Sequence, residues 1–118
     1  MRLNHLNLTV PNAAETAEFL ERHFGFRPLD GVKQSSAFSI VLDESGFVLT
    51  LMRSRRDSET AYPQSFHIGF AQDSEEKVNE IHRRLLADGI DAPPPARLHG
   101  SWTFYFTAPG GFQIEVLA

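Results

Sequence analysis

Apolar and polar residues alternate along Leu3-Asn4-His5-Leu6-Asn7-Leu8-Thr9-Val10. A period of two predicts a half-buried strand, with Asn4, Leu6, Leu8 and Val10 on one face and Leu3, His5, Asn7 and Thr9 on the other. The period then lengthens. Ala13, Ala17, Leu20 and Phe24 are spaced as one apolar stripe of a helix. Asn12 is a good N-cap, Glu15 follows three residues later as in a capping box, and Gly25 is suited to the left-handed stop. Phe26 to Leu29 reads as a short edge strand, because Pro28 cannot donate to a ladder. Ala37–Leu42 and Phe47–Met52 predict a hairpin around Asp43-Glu44-Ser45-Gly46.

The same order then recurs. Phe66, Ile68 and Phe70 form the apolar face of a strand, and Ser65, His67, Gly69 and Ala71 the other. Asp73, with Glu76 three residues on, is expected to cap the next helix; Val78, Ile81 and Leu85 form its stripe and Gly89 ends it. Asp91 to Ala96 carries three consecutive prolines and predicts an edge segment or loop. Trp102–Thr107 and Phe112–Leu117 form a final hairpin around Ala108-Pro109-Gly110-Gly111, with Trp102, Phe104 and Phe106 packed under the helix. Equivalent positions drift apart from 61 residues (Asn12, Asp73) to 65 (Gly46, Gly111), which predicts a second helix about one turn longer than the first. The plan is βαβββ twice, an α+β fold. It divides into a module at about residues 1–54, a linker at about 55–63 and a module at about 64–118 of a single domain.

Bulk properties narrow the function classes. A chain of 118 residues can bury a core without a covalent staple. The absence of cysteine removes thiolate chemistry and thiolate metal sites, and fits a reducing cytosol. A net charge of −4 argues against a nucleic-acid partner. Arg53, Arg55 and Arg56 form the one basic cluster and read as a solvated part of the linker. No apolar run approaches the roughly 18 residues of a membrane span, and no secretion signal is visible. The expectation is a cytoplasmic protein that binds neither membrane nor nucleic acid.

The alternation also places the chemistry. If each helix covers the more apolar sheet face, the opposite faces carry His5, Asn7 and Thr9 on the first strand, His67 and Gly69 on the fifth, and Gln113 and Glu115 on the last. His5 and His67 stand 62 residues apart, and Thr50 and Glu115 stand 65 apart. Two imidazoles and one carboxylate at duplicated positions predict a site for one divalent metal, namely iron, manganese, nickel, cobalt or zinc, with His5, His67 and Glu115 as ligands. Three protein ligands leave positions open for water and substrate. Thr50, Asn7 and Gln113 are candidate substrate contacts. Tyr105 is a candidate substrate contact or proton donor, and His99 a candidate general base beside the cavity mouth. His23 and His82 lie on helices and receive no role.

The runs Leu3 to Val10, Phe66-His67-Ile68-Gly69-Phe70 and Phe104-Tyr105-Phe106-Thr107-Ala108-Pro109-Gly110-Gly111-Phe112-Gln113-Ile114-Glu115 resemble the vicinal oxygen chelate superfamily. That group spans glyoxalases, fosfomycin-resistance enzymes, extradiol dioxygenases and bleomycin-resistance proteins. The resemblance covers essentially the whole chain. It implies paired βαβββ modules in a curved mixed sheet with helices on the outer face, and a small substrate that chelates a metal through adjacent oxygens. It also implies a homodimer, in which His5 shares a metal with His67 and Glu115 of a second copy. The departures bear on the reaction. Glyoxalase I needs a carboxylate where this chain has Thr50. The fosfomycin enzymes continue past the final glutamate with basic residues, whereas this chain ends at Ala118. The expected function is therefore a metal-dependent lyase, isomerase or dioxygenase. A metal-free, drug-sequestering protein of the bleomycin-resistance type is the alternative, and a duplicated scaffold whose metal site no longer catalyses is a third.

Overall fold

The computed structural model describes residues 1–54 and 61–118. Arg55, Arg56 and most of the expected linker lie outside them. The described chain falls into two compact units, Met1–Ala61 with Pro109–Gly111, and Tyr62–Ala108 with Phe112–Ala118. The first unit contains β1 (His5–Val10), α1 (Ala13–Phe24), β2 (Arg27–Pro28), β3 (Phe38–Leu42) and β4 (Val48–Arg53). The second contains β5 (His67–Ala71), α2 (Glu75–Ala87), β6 (Ala96–Leu98), β7 (Ser101–Thr107) and β8 (Gln113–Leu117). Sheet orders are β1-β4-β3-β2 and β5-β8-β7-β6. In each unit the first and last strands pair in parallel and the rest antiparallel. The α+β plan of two βαβββ modules is thus the observed fold. No helix among the described residues is long and apolar enough to cross a membrane.

Each helix packs on the central strands of its own sheet, α1 on β3 and β4, α2 on β7 and β8. In the first unit Leu8, Val10, Leu20, Val41, Leu49 and Leu51 are buried between them. In the second unit Val78, Ile81, Leu85, Phe104, Ile114 and Val116 play that part. Each such side chain contributes roughly 1.5–3 kcal/mol through removal from water. The helix therefore fixes which face of each strand is core, and the alternate residues must line the opposite face.

Local rules account for most boundaries. Asn12 caps α1, its Oδ1 accepting from Glu15 N at 3.1 Å. Gly25 ends it in the left-handed region at φ 69°, where only glycine is free of a Cβ penalty. The second helix corrects the sequence reading. Ser74, not Asp73, is the cap, its hydroxyl accepting from Lys77 N at 3.3 Å. Two adjacent residues of good capping type stand there, and the shorter hydroxyl is the one that reaches the third backbone N–H. The helix therefore starts one residue later than expected and runs 13 residues against 12 for α1, not a full turn longer.

The β3–β4 hairpin is closed by one side chain. Asp43 Oδ1 accepts from Ser45 N at 2.8 Å, Ser45 Oγ at 2.7 Å and Phe47 N at 2.8 Å. Burial pushes its carboxyl up, but hydrogen bonds from Ser45, Phe47 and Gly46 outweigh this and hold it below its ordinary value. Asp43→Ala should destabilise the chain by about 1–2 kcal/mol, measured by urea unfolding near neutral pH. The lowered folded-state pKa means this contribution is complete above the ordinary carboxylate value and is lost as pH falls through the folded one. The difference between parent and variant should therefore shrink in acid.

Candidate metal centre

Three strands of the second unit bring the chemistry together. The register across β5, β8 and β7 aligns His67 with Gln113 and Thr107, and Gly69 with Glu115 and Tyr105. Ile114 and Val116 point into the core, so Gln113 and Glu115 point to the face away from α2. Glu115 sits diagonally across from His67, within reach of a long side chain.

The two side chains meet. His67 Nε2 lies 3.5 Å from Glu115 Oε2. The other ring nitrogen, Nδ1, is 3.0 Å from the Ser65 carbonyl oxygen. A carbonyl only accepts, so Nδ1 carries a proton, and the neutral form of the ring then has its lone pair on Nε2, the nitrogen that faces the carboxylate. In that form two lone-pair-bearing atoms face each other, an arrangement that a cation between them satisfies. A backbone carbonyl on the far nitrogen is also the usual way a metal-binding imidazole is fixed in tautomer and orientation. The Tyr105 ring packs edge-on against His67, with centroids 5.4 Å apart.

Glu115 is largely enclosed, its side chain 15% exposed against 43% for His67. Its remaining partners come from β7. Thr103 Oγ1 donates to Oε1 at 3.1 Å, and the Tyr105 hydroxyl donates to the same carboxylate. On β5 the position level with Glu115 is Gly69, which has no side chain. A Cβ added at Gly69 would stand 3.7 Å from both Glu115 Oε2 and Leu117 Cδ2, in ordinary contact with each. A histidine nitrogen and a carboxylate oxygen form a donor pair suited to a divalent first-row ion. Among the described residues, no group of three His, Cys, Asp or Glu side chains is placed to hold one.

The hydrogen bond to Glu115 is the main reason the Tyr105 hydroxyl is pushed up to about 12, with burial and the carboxylate charge adding to it. In the metal-free protein Tyr105 should therefore stay protonated well past the tyrosine norm of about 10. Tyrosinate absorbance should show its late titration, and Glu115→Ala, which removes both the acceptor and the charge, should bring it back toward the ordinary value. The sign for stability follows. The folded state keeps this proton longer, so the contribution is complete below the unfolded value and is lost as pH rises toward 12.

The other expected site residues lie apart from this pair or at its margin. His5 is exposed on β1 of the first unit, with Nδ1 3.2 Å from Asn4 Oδ1. Asn7 and Thr50 are register partners in that unit. Asn7 donates to the Met52 sulfur at 3.4 Å. Gln113 donates from Nε2 to Thr107 Oγ1 at 3.2 Å, beside His67 on the same face. His99 occupies the β6–β7 turn at φ 51° and is exposed. His82 bonds the Ala92 carbonyl at 3.1 Å and packs edge-on against Phe104, consistent with a part in packing. Trp102 points to the helix side, as expected, with Nε1 donating to Asn79 Oδ1 at 2.8 Å. Thr103 was not among the expected site residues. Alternation puts it on the Tyr105 face, but that alone does not mark its hydroxyl as a partner of the carboxylate.

The sequence profile of the Glyoxalase/Bleomycin resistance protein/Dioxygenase superfamily matches residues 2–116. The chain belongs to this superfamily. Among solved structures it is similar to that of a possible glyoxalase from Bacillus cereus, at 45% identity and a TM-score of 0.89, covering 100% of this chain and 99% of that one. It is similar to a genomically encoded fosfomycin resistance protein from Listeria monocytogenes, at 26% identity and a TM-score of 0.77, covering 99% and 90%. A lactoylglutathione lyase from Agrobacterium tumefaciens shares the fold at 21% identity and a TM-score of 0.75, covering 98% and 92%. No curated protein matches the chain. The duplicated sheets fit this superfamily, and His67 and Glu115 lie on β5 and β8, the parallel pair of the second sheet.

Proposed function

We propose that this superfamily member is a metal-dependent enzyme acting on a small substrate that chelates through oxygen. His67 and Glu115 supply two donors, and His5 supplies the third, from the same chain or from a second copy in a homodimer. A bound divalent ion would serve as a Lewis acid on a substrate oxygen and as a site for activated water. The chain's own residues do the rest. Ser65 fixes the imidazole tautomer, Thr103 and Tyr105 hold the carboxylate, and the lack of a side chain at Gly69 keeps a Cβ out of contact with Oε2. Gln113 and Thr107, one rung away, present an amide oxygen and a hydroxyl that can orient a polar substituent of the substrate. Lyase, isomerase and dioxygenase chemistry all begin from such a site.

The observation that carries this reading is the His67 Nε2 to Glu115 Oε2 approach, with Nδ1 already committed to Ser65. The test is metal content after chelator-free purification, followed by turnover of thiol adducts, epoxides and catechols by the loaded protein. One metal per site, with turnover of one of these classes, is expected. No metal at any loading would shift the function to ligand sequestration, and tight metal without turnover to a scaffold that no longer catalyses.

A further inference from the structure

We propose that Thr103 is a positioning residue for the metal site: its hydroxyl tethers one oxygen of Glu115 so that the other stays turned to His67. The inference rests on the metal-site reading above. Thr103 lies in β7 and is 1% exposed. Its hydroxyl is 3.1 Å from Glu115 Oε1 and 2.9 Å from the Val116 carbonyl oxygen. One hydrogen therefore serves two acceptors, and the carbonyl is a fixed part of the β8 backbone.

The need for a tether follows from side-chain torsions. The last torsion of a glutamate is broad and roughly twofold, so a free carboxylate exchanges its oxygens and tilts readily. Threonine is β-branched and stiff at χ1, and this one is packed on all sides. Its hydroxyl is therefore a fixed point against which Oε1 is held. Oε2, on the far side of the same carboxylate, is the atom 3.5 Å from His67 Nε2. Tyr105 donates to the carboxylate from the next outward position of the same strand face. Valine would fill the same volume at Thr103 with equal strand propensity. Besides the Val116 carbonyl, the acceptor of the hydroxyl is the carboxylate of the proposed ligand.

The test uses the full chain and cobalt(II) alone, with dissociation constants from competition against a chelating indicator and the visible spectrum of the bound ion. Removing a partner that orients a ligand typically weakens metal binding 10–100-fold. T103V should show a loss of about that size and a changed cobalt spectrum, while T103S stays near the parent in both. Thermal unfolding of the metal-free forms separates this from a packing role, which would lower the midpoint and leave the affinity of the folded protein unchanged. If T103V does not fold, T103A carries the same test, since it removes the hydroxyl and introduces no group that could bind the ion. Parent-like affinity and spectrum in the folded variant, beside loss of binding in Glu115→Gln, would overturn the positioning role and leave the site standing. A parent that binds no cobalt overturns both.

Discussion

Glu115→Ala should reduce divalent-metal affinity by at least about a thousandfold, or about 4 kcal/mol. The carboxylate is the anionic partner of His67 in the pair, and its side chain is held with only 15% exposure. Glu115→Gln sharpens the test. The amide oxygen can still accept from Thr103 and Tyr105, so the local packing survives, but the charge that favours a cation is gone. Both variants should therefore lose the metal, while only the alanine removes the carboxylate-side acceptor of the Thr103 and Tyr105 hydroxyls. His67→Ala should match Glu115→Ala in metal binding and leave the carboxylate without its facing imidazole. Thermal unfolding gives an independent readout. A ligand at a thousand times its dissociation constant stabilises the folded state by about 4 kcal/mol. Added cobalt or zinc should raise the unfolding temperature of the parent and leave that of all three variants unmoved. Turnover of the substrate classes named above should be lost with the metal.

The largest loss of stability is expected at Phe104→Ala. Phe104 is 2% exposed, packs edge-on against His82 of α2 with centroids 5.3 Å apart, and lies against Phe106 at 5.9 Å. It is thus the ring through which the helix grips the sheet that carries the site. Truncating a buried phenylalanine removes its transfer energy and leaves a cavity, about 3–5 kcal/mol together. A domain of this size has roughly 5–15 kcal/mol in all, so the variant should be close to unfolding at ambient temperature. Urea denaturation should show a much lower midpoint with an unchanged slope. Tyr105→Phe, on the solvent side of the same strand, removes one hydroxyl and should cost no more than about 1 kcal/mol.

Much of this was legible in the sequence because the code there is periodic. Leu6, Leu8 and Val10 alternate with His5, Asn7 and Thr9, and burial follows that alternation with Leu8 and Val10 enclosed and His5 exposed. The second copy of the pattern fixed the faces of β5 and β8, and with them the shared face of His67 and Glu115. The Asn12 cap was equally plain, since a lone asparagine precedes the stripe. Where two candidates compete, local rules fail. Asp73 and Ser74 are both good caps, and the choice between them depends on which side chain reaches a backbone N–H in the folded turn. Ala92 is buried at 6% beside three prolines, a segment whose composition reads as surface. Thr103 shows the sharper limit. A threonine in a strand is favoured for its shape alone, so nothing in the sequence separates a hydroxyl that packs from one that holds a carboxylate. Register across a hairpin supplies that information, and register depends on the tertiary pairing of β7 with β8.

The central claim is that His67 and Glu115 are two ligands of one divalent ion. Anomalous diffraction from crystals of the full chain loaded with cobalt or zinc addresses it directly. The account predicts one strong peak per site, about 2.0–2.2 Å from both His67 Nε2 and Glu115 Oε2, with a further histidine nitrogen, that of His5, completing the set. A peak away from this pair, or loaded crystals with no peak between the two side chains, would contradict it.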